Sequence, residues 1–333
     1  MYNNINFNKK TILITGGAGF IGSNLAFYFQ DEFPESKIIV FDCFRDASTF
    51  SNGNLKSFGH FKNLIGFKGD VISGDINNKN DLDLLSDYKF DYIFHQAAIS
   101  DTRVYDQQMI IKTNVNSFYD LLKISKKNEA SMIYASSAAT YGSLASPQTI
   151  GNENPENPYG YSKLLMDRIA DKYSIENPER VIVGLRYFNV FGPKEFYKAK
   201  TSSMVIQIGH QILSGKAPRL FKDSNQILRD FIYINDVIQA NIMACKPKKN
   251  GTYNVGTGVS RSFQEIADIL QKELGTNFPT EYFNNPYSDY QLETRADISL
   301  TSKNLNFKPV FSLEAGIKKY IPEIKNLYGS DNS

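Results

Sequence analysis

A tyrosine and a lysine one helical turn apart, Tyr159 and Lys163, are the side chains of this chain best suited to move a proton. They lie in Asn157-Pro158-Tyr159-Gly160-Tyr161-Ser162-Lys163. Asn caps helices and Pro favours their first position, so the spacing predicts that both side chains share one face of a starting helix. A free phenol titrates at about pH 10, and a neighbouring ammonium favours its ionised form. That brings acid/base work on a hydroxyl or carbonyl towards neutral pH. The same spacing at Tyr119 and Lys123 falls in an ordinary amphipathic run and reads as structural. The pair therefore needs support from the elements around it.

Those elements begin with the apolar run Lys10–Thr15, the cluster Gly16-Gly17-Ala18-Gly19-Phe20-Ile21-Gly22, and an amphipathic stretch through Phe29. Strand, glycine turn and helix in this order make a dinucleotide cradle. Gly16 permits the tight turn, Gly19 lets backbone approach a pyrophosphate, Gly22 allows close helix packing, and the helix N-terminus receives the negative charge. A second strand, Lys37–Asp42, ends in a carboxylate about 20 residues beyond the last glycine, where a ribose hydroxyl is bound. Asp42 points to NAD, whereas Arg45 can hold the 2′-phosphate of NADP, and both remain open.

Further strands end at Asp75-Ile76, at His95-Gln96-Ala97-Ala98 and at Ser136-Ser137, with a helix predicted over Ile110–Lys126 around Asn114. His95 reads as a packing residue, and 48–63 as a long loop. Ligands of open α/β sheets bind beyond the carboxyl ends of strands, where a serine such as Ser137 can polarise the same substrate oxygen as Tyr159, while one of Ser136 and Ser137 serves only to satisfy the turn. A sixth strand follows at Arg180–Tyr187. This alternation predicts an α/β fold: a doubly wound parallel Rossmann sheet with a smaller C-terminal α/β substrate-binding lobe. The rhythm changes after Pro193, so we expect residues 1–190 with 229–258 to form the dinucleotide domain. Residues 191–228 with 259–328 form the second lobe, and 329–333 a flexible tail.

Composition narrows the function. With 37 basic against 35 acidic residues, the net charge of +2 creates no field for nucleic acid or a membrane surface. Cys43, Cys245 and three histidines offer neither a metal set nor a disulfide framework. No run of about 18 apolar residues and no targeting segment stands out, so the expected location is cytoplasmic.

Together, Gly16–Gly22, Ser137, Tyr159 with Lys163, Arg186–Pro193 and Arg229-Asp230-Phe231 resemble the extended short-chain dehydrogenase/reductase superfamily of nucleotide-sugar enzymes. Tyr134–Gly142, Pro193–Lys198 and Pro218–Phe221 followed by Arg229 resemble its ADP-heptose 6-epimerase branch. The resemblance implies one tightly bound NADP or NAD that takes hydride from C6″ of ADP-D-glycero-D-manno-heptose and returns it to the other face. It implies Tyr159 and Lys198 as the two bases, Lys163 on the nicotinamide ribose, and Ser137 on the reacting oxygen.

Cofactor contacts are then expected at Phe20, Ile21, Cys43, Gln96, Ala97, Ala98, Asn114 and Val190. Substrate contacts are expected at Asn189, Lys200, Gln207, Phe221, Ser224, Arg229 and Tyr290. The branch has a histidine where this chain has Gln207, and a lysine near the cofactor phosphate where this chain has Thr49. A homo-oligomer supplying heptose for lipopolysaccharide is the expected setting. The alternatives are a 4-epimerase on the same fold, a 4,6-dehydratase, and a non-catalytic dinucleotide sensor. A dehydratase needs an Asp-Glu pair where Ala138-Ala139 stands.

Overall fold

The computed structural model describes residues 5–285 and 291–331. Seven strands form one parallel sheet: β1 (Thr11–Thr15), β2 (Lys37–Asp42), β3 (Asp70–Ser73), β4 (Tyr92–His95), β5 (Ser131–Ser137), β6 (Ile182–Tyr187) and β10 (Gly251–Val255). Their order is β10-β6-β5-β4-β1-β2-β3. The chain winds outward from β1 through β2 to β3, then crosses back to place β4 on the other side of β1. The β1/β4 boundary is thus the switch point at which a parallel sheet opens a crevice. Strands such as β1 and β2 are apolar along nearly their whole length because helices cover both faces of the sheet. Phe29, Phe94 and Ile133 are buried on one side of it, and Phe41, Phe118 and Tyr134 on the other.

Two small sheets lie outside. β7 (Asn189–Phe191), β9 (Leu228–Tyr233) and β11 (Ser260–Ser262) form one in the order β11-β9-β7. β8 (Arg219–Phe221) pairs in parallel with β12 (Glu281–Phe283). The run 229–258 is therefore shared between layers. β9 joins β7, whereas the helix Ile234–Met243 returns to pack on the helix Phe20–Glu32, and β10 extends the large sheet.

The helix expected over Ile110–Lys126 is interrupted. Gln107–Ile110 is α-helical, Ile111–Asn116 makes a π-helical turn, and Ser117–Asn128 resumes the α-helix. The wide turn directs buried Asn114 inward, where it bonds both backbone groups of Ile99 and the hydroxyl of Ser162. The last helix runs from Leu313 to Asp331, into the stretch expected to be a tail. Among the described residues no helix is long and apolar enough to cross a membrane.

Candidate active site

A cleft of about 560 Å³ opens at the carboxyl ends of the central strands. Its floor is the glycine turn. Gly16 has φ +67°, and a Cβ there would lie 2.7 Å from the Ala97 nitrogen, so only glycine lets β1 turn this close to β4. A Cβ on Gly22 would stand 2.3 Å from the Gly16 carbonyl oxygen, which is how the Phe20–Glu32 helix comes to rest on the turn. Gly19 caps that helix without a side chain, leaving first-turn N–H groups without a side-chain acceptor at the cleft. The cradle fits the pyrophosphate of a dinucleotide.

Asp42 lies at the cleft, with its carboxylate accepting the Ala18 and Phe44 N–H groups at 3.0 and 2.8 Å. Burial pushes its pKa up against those two bonds. Cys43, Asp75, Ile76, Gln96, Ala97, Ala98 and Val190 also line the cleft, together with Phe20 and Ile21. Arg45 and Asn114 do not. The Arg45 guanidinium donates to the Tyr197 carbonyl at 3.1 Å, and Asn114 braces the Ile99 backbone beneath the wall.

The Tyr159 helix, Pro158–Glu176, starts as its sequence predicts: the Asn157 side chain accepts the Gly160 N–H at 2.8 Å. Tyr159 and Lys163 are both buried against the cleft. The Lys163 ammonium donates to the Ala135 carbonyl at 2.7 Å and lies 5.9 Å from the centre of the Tyr159 ring. Burial brings its pKa down to about 8, opposed by the charge of Asp167. One expectation is corrected here. The phenol of Tyr159 is held above its ordinary value, because burial outweighs everything else, and the group that offsets it is the hydroxyl of Ser137 rather than Lys163. Ser137 also accepts the Ala139 N–H at 3.1 Å, which starts the short turn after β5.

Behind the helix lies a buried network that sequence reasoning missed. Asp167, one turn beyond Lys163, accepts from Tyr134 and Ser136 at 3.0 Å and from Arg186 at 2.8 and 3.0 Å. A further Arg186 nitrogen reaches Glu153 at 2.6 Å, in the loop that leads into the helix. Burial works against the charge of Arg186, but the charge of Asp167, together with Tyr141 and the hydrogen bond to Glu153, outweighs it and holds the guanidinium ionised.

Lys198 enters the same cleft from the 3₁₀ turn Phe196–Thr201. It is half-buried, with its ammonium 5.5 Å from the centre of the Phe20 ring. Burial lowers its pKa and Glu195 opposes the shift. The neighbouring Tyr197 ring stacks on His60 at 4.0 Å between centroids and 3° between planes, which clasps this turn to the loop after β2. That loop, read as featureless, also supplies Lys56, Ser57, Phe58 and Gly59 to the cleft. No period marks it in sequence, because its residues reach the cleft from an irregular loop rather than from one face of a helix or strand.

Of the expected substrate contacts, Ser137 and Asn189 line the cleft. Lys200 is exposed beyond it, and Gln207 donates to the Ser202 carbonyl at 2.7 Å. Phe221 packs edge-on against Phe283 in the outer two-stranded sheet, and Ser224 is buried just after it. Arg229 directs donors to the carbonyls of Leu228, Gln291 and Leu292 at 2.7 to 3.3 Å. Tyr290 lies outside the described residues.

A dinucleotide cradle facing a buried Tyr-Lys pair is the arrangement expected of an enzyme that oxidises a carbinol or reduces the corresponding carbonyl. Residues 12–256 match the model of the NAD dependent epimerase/dehydratase family, and the chain belongs to that family. It is 35% identical over 316 residues to the ADP-L-glycero-D-manno-heptose-6-epimerase of Brachyspira hyodysenteriae, covering 93% of this chain and 96% of that one. The crystal structure of ADP-L-glycero-D-manno-heptose-6-epimerase from Helicobacter pylori superposes with a TM-score of 0.89 at 49% identity, over 98% of this chain and 99% of the other. The UDP-glucuronic acid 4-epimerase of Bacillus cereus, in complex with UDP-glucuronic acid and NAD, is 28% identical with a TM-score of 0.80, over 96% and 100% of the two chains.

Proposed function

We propose that this protein interconverts the two C6″ epimers of ADP-glycero-D-manno-heptose. The observation that carries the reading is that two proton-handling groups, Tyr159 and Lys198, enter one cleft from separate elements. The two relatives named for this activity, at 35% and 49% identity, supply the substrate. A nicotinamide dinucleotide, when bound in the glycine cradle, supplies reversible hydride transfer.

The chain's own residues do the rest. Inversion at one carbon requires the hydroxyl to lose its proton on one side and the carbonyl oxygen to regain one on the other. Tyr159 Oη serves one face, with Ser137 hydrogen-bonded to it, and Lys198 Nζ serves the other. Lys163, anchored on Ala135, orients the nicotinamide ribose, and Gln96, Ala97 and Ala98 form the wall beside it. Ala138 packs with Tyr141 and Phe188, and Ala139 follows it, so no carboxylate stands where a dehydratase needs its acid/base pair. Asp42 at the end of β2 favours NAD over NADP, and Arg45 is engaged with Tyr197, although Lys56 lines the same wall of the cleft.

The test is proton NMR of purified protein incubated with ADP-D-glycero-D-manno-heptose and no added cofactor. Conversion to the L-glycero epimer is expected. No conversion by protein whose absorbance shows nicotinamide would overturn the reading.

A further inference from the structure

Glu195 has no exposed surface and takes no part in the chemistry above, yet it sits three residues from Lys198 in the same turn. One carboxylate oxygen accepts the Gly192 N–H at 3.1 Å and the Ser203 hydroxyl at 2.8 Å; the other accepts the Ser203 N–H at 2.6 Å. Gly192 and Ser203 bracket the whole Lys198 segment, so this single side chain ties its two ends together. Its backbone carbonyl takes the Lys198 N–H at 3.0 Å as well. The backbone of the turn is irregular: Ala199 inside it has φ 52° and ψ −126°, outside helical space.

A buried carboxylate held only by neutral donors remains costly, and the cation it faces is Lys198. The ammonium of Lys194, the other lysine close by, points away, donating to the Asn63 carbonyl over the Phe27 ring. From the last helix, Tyr320 and Glu323 approach the same carboxylate region, with Tyr233 at the end of β9 beside them. His210 abuts Phe196 of the turn. On the cleft side the titratable groups are Tyr159, Lys163 and Tyr187 on one wall, and Asp42, Cys43, Lys56 and Asp75 on the other.

We infer that Glu195 is the positioning residue of Lys198: it closes the base of the turn that aims the ammonium into the cleft, and it holds a buried negative charge three residues from that ammonium. This rests on the proposed two-base reaction. The carboxylate never touches substrate. It keeps Lys198 in reach and opposes the loss of its proton on entering a half-buried site.

The test compares pH profiles of kcat for the cofactor-loaded wild type, Lys198→Ala, Glu195→Gln and Glu195→Asp. The limb missing from Lys198→Ala identifies the lysine. In Glu195→Gln that limb should move towards acid by about one pH unit, as expected when an opposite charge at close range is removed, with a fall in kcat. An unmoved limb overturns the proposal whatever happens to the rate, since a merely structural role would lower kcat at every pH alike. If Glu195→Gln does not fold, Glu195→Asp decides: it keeps the charge but shortens the reach, and should lower kcat with the limb in place. Wild-type kcat in Glu195→Asp, or a displaced limb, counts against the inference. Should Lys198→Ala itself keep the wild-type rate and profile, the two-base reading fails instead, and the two failures are told apart.

Discussion

Tyr159 stands in the first turn of a 19-residue helix, whereas Lys198 stands in a six-residue 3₁₀ turn with a left-handed residue inside it. The helix is fixed many times over: a side-chain cap at its start, the Lys163 bond to β5, and the Asp167–Arg186–Glu153 network across three elements. The turn depends on one buried carboxylate, one stacked tyrosine and a few single contacts from Arg45, Gln207 and His210. The two groups proposed to serve opposite faces of one carbon are thus held by regular structure on one side and by isolated contacts on the other. Damage to the first should spread into stability, and damage to the second should stay in activity.

The largest expected effect is on turnover. Tyr159→Phe should lower kcat by about 10²- to 10⁴-fold, the range for loss of a general acid/base, while cofactor absorbance and melting temperature stay near wild type. Retained turnover would remove Tyr159 from the chemistry and leave the comparison without its first member.

Next in size is the network behind the helix. Arg186→Met leaves buried Asp167 and half-buried Glu153 without their cation, and should cost about 3–5 kcal/mol in urea unfolding. A loss below about 1 kcal/mol would mean the helix is held no more firmly than the turn, and the contrast would collapse.

What sequence made legible follows the same divide. The glycine cradle, the Asn157 cap and the β5 hydroxyls were readable because each acts on neighbours a few residues away. Lys198 was reached only through resemblance, and Glu195 not at all. Its partners are Gly192, Ser203 and, from the last helix, Tyr320, and no local period links them. Arg229 was chosen for the guanidinium's affinity for phosphate. Its donors instead meet carbonyls of the 291–292 segment, a contact between residues about sixty positions apart. The π-helical turn at Asn114 was hidden for a related reason: the apolar pattern of that stretch suits an α-helix, and the bonds Asn114 makes there reach Ile99 and Ser162, which no local pattern links to it.

A smaller effect separates the two sides by pH. His95, beneath the Tyr-Lys side, bonds Thr15 at 2.7 Å, and burial followed by the charge of Lys163 pushes it down to about 3. An unfolded histidine titrates at about 6.5, so in acid the unfolded chain takes up the proton first. The stability that neutral His95 contributes is complete above about pH 6.5 and falls as pH drops towards 3, by at most about 1.4 kcal/mol per pH unit. His60, on the Lys198 side, is also pushed down, to about 4, by burial and then by Arg45 and Lys62, but it is partly exposed and its share is smaller. Urea midpoints from pH 7 to 4 should show His95→Gln flattening the acid loss more than His60→Gln. The reverse order would place the acid-sensitive contact in the clasp.

The smallest effect tests whether the helix start is as redundant as it looks. Asn157→Ala removes the one side-chain acceptor for the Gly160 N–H, and losing such a cap costs about 1 kcal/mol. Pro158 still presets the first turn, Ser162 still donates to the Tyr159 carbonyl, and Lys163 still reaches Ala135. The variant should therefore melt a few degrees lower while kcat stays within about threefold of wild type, because the phenol is placed by the sheet contacts as much as by the cap. A large fall in kcat with only that small loss of stability would show that the cap aims Tyr159, and that the helix depends on isolated contacts just as the Lys198 turn does.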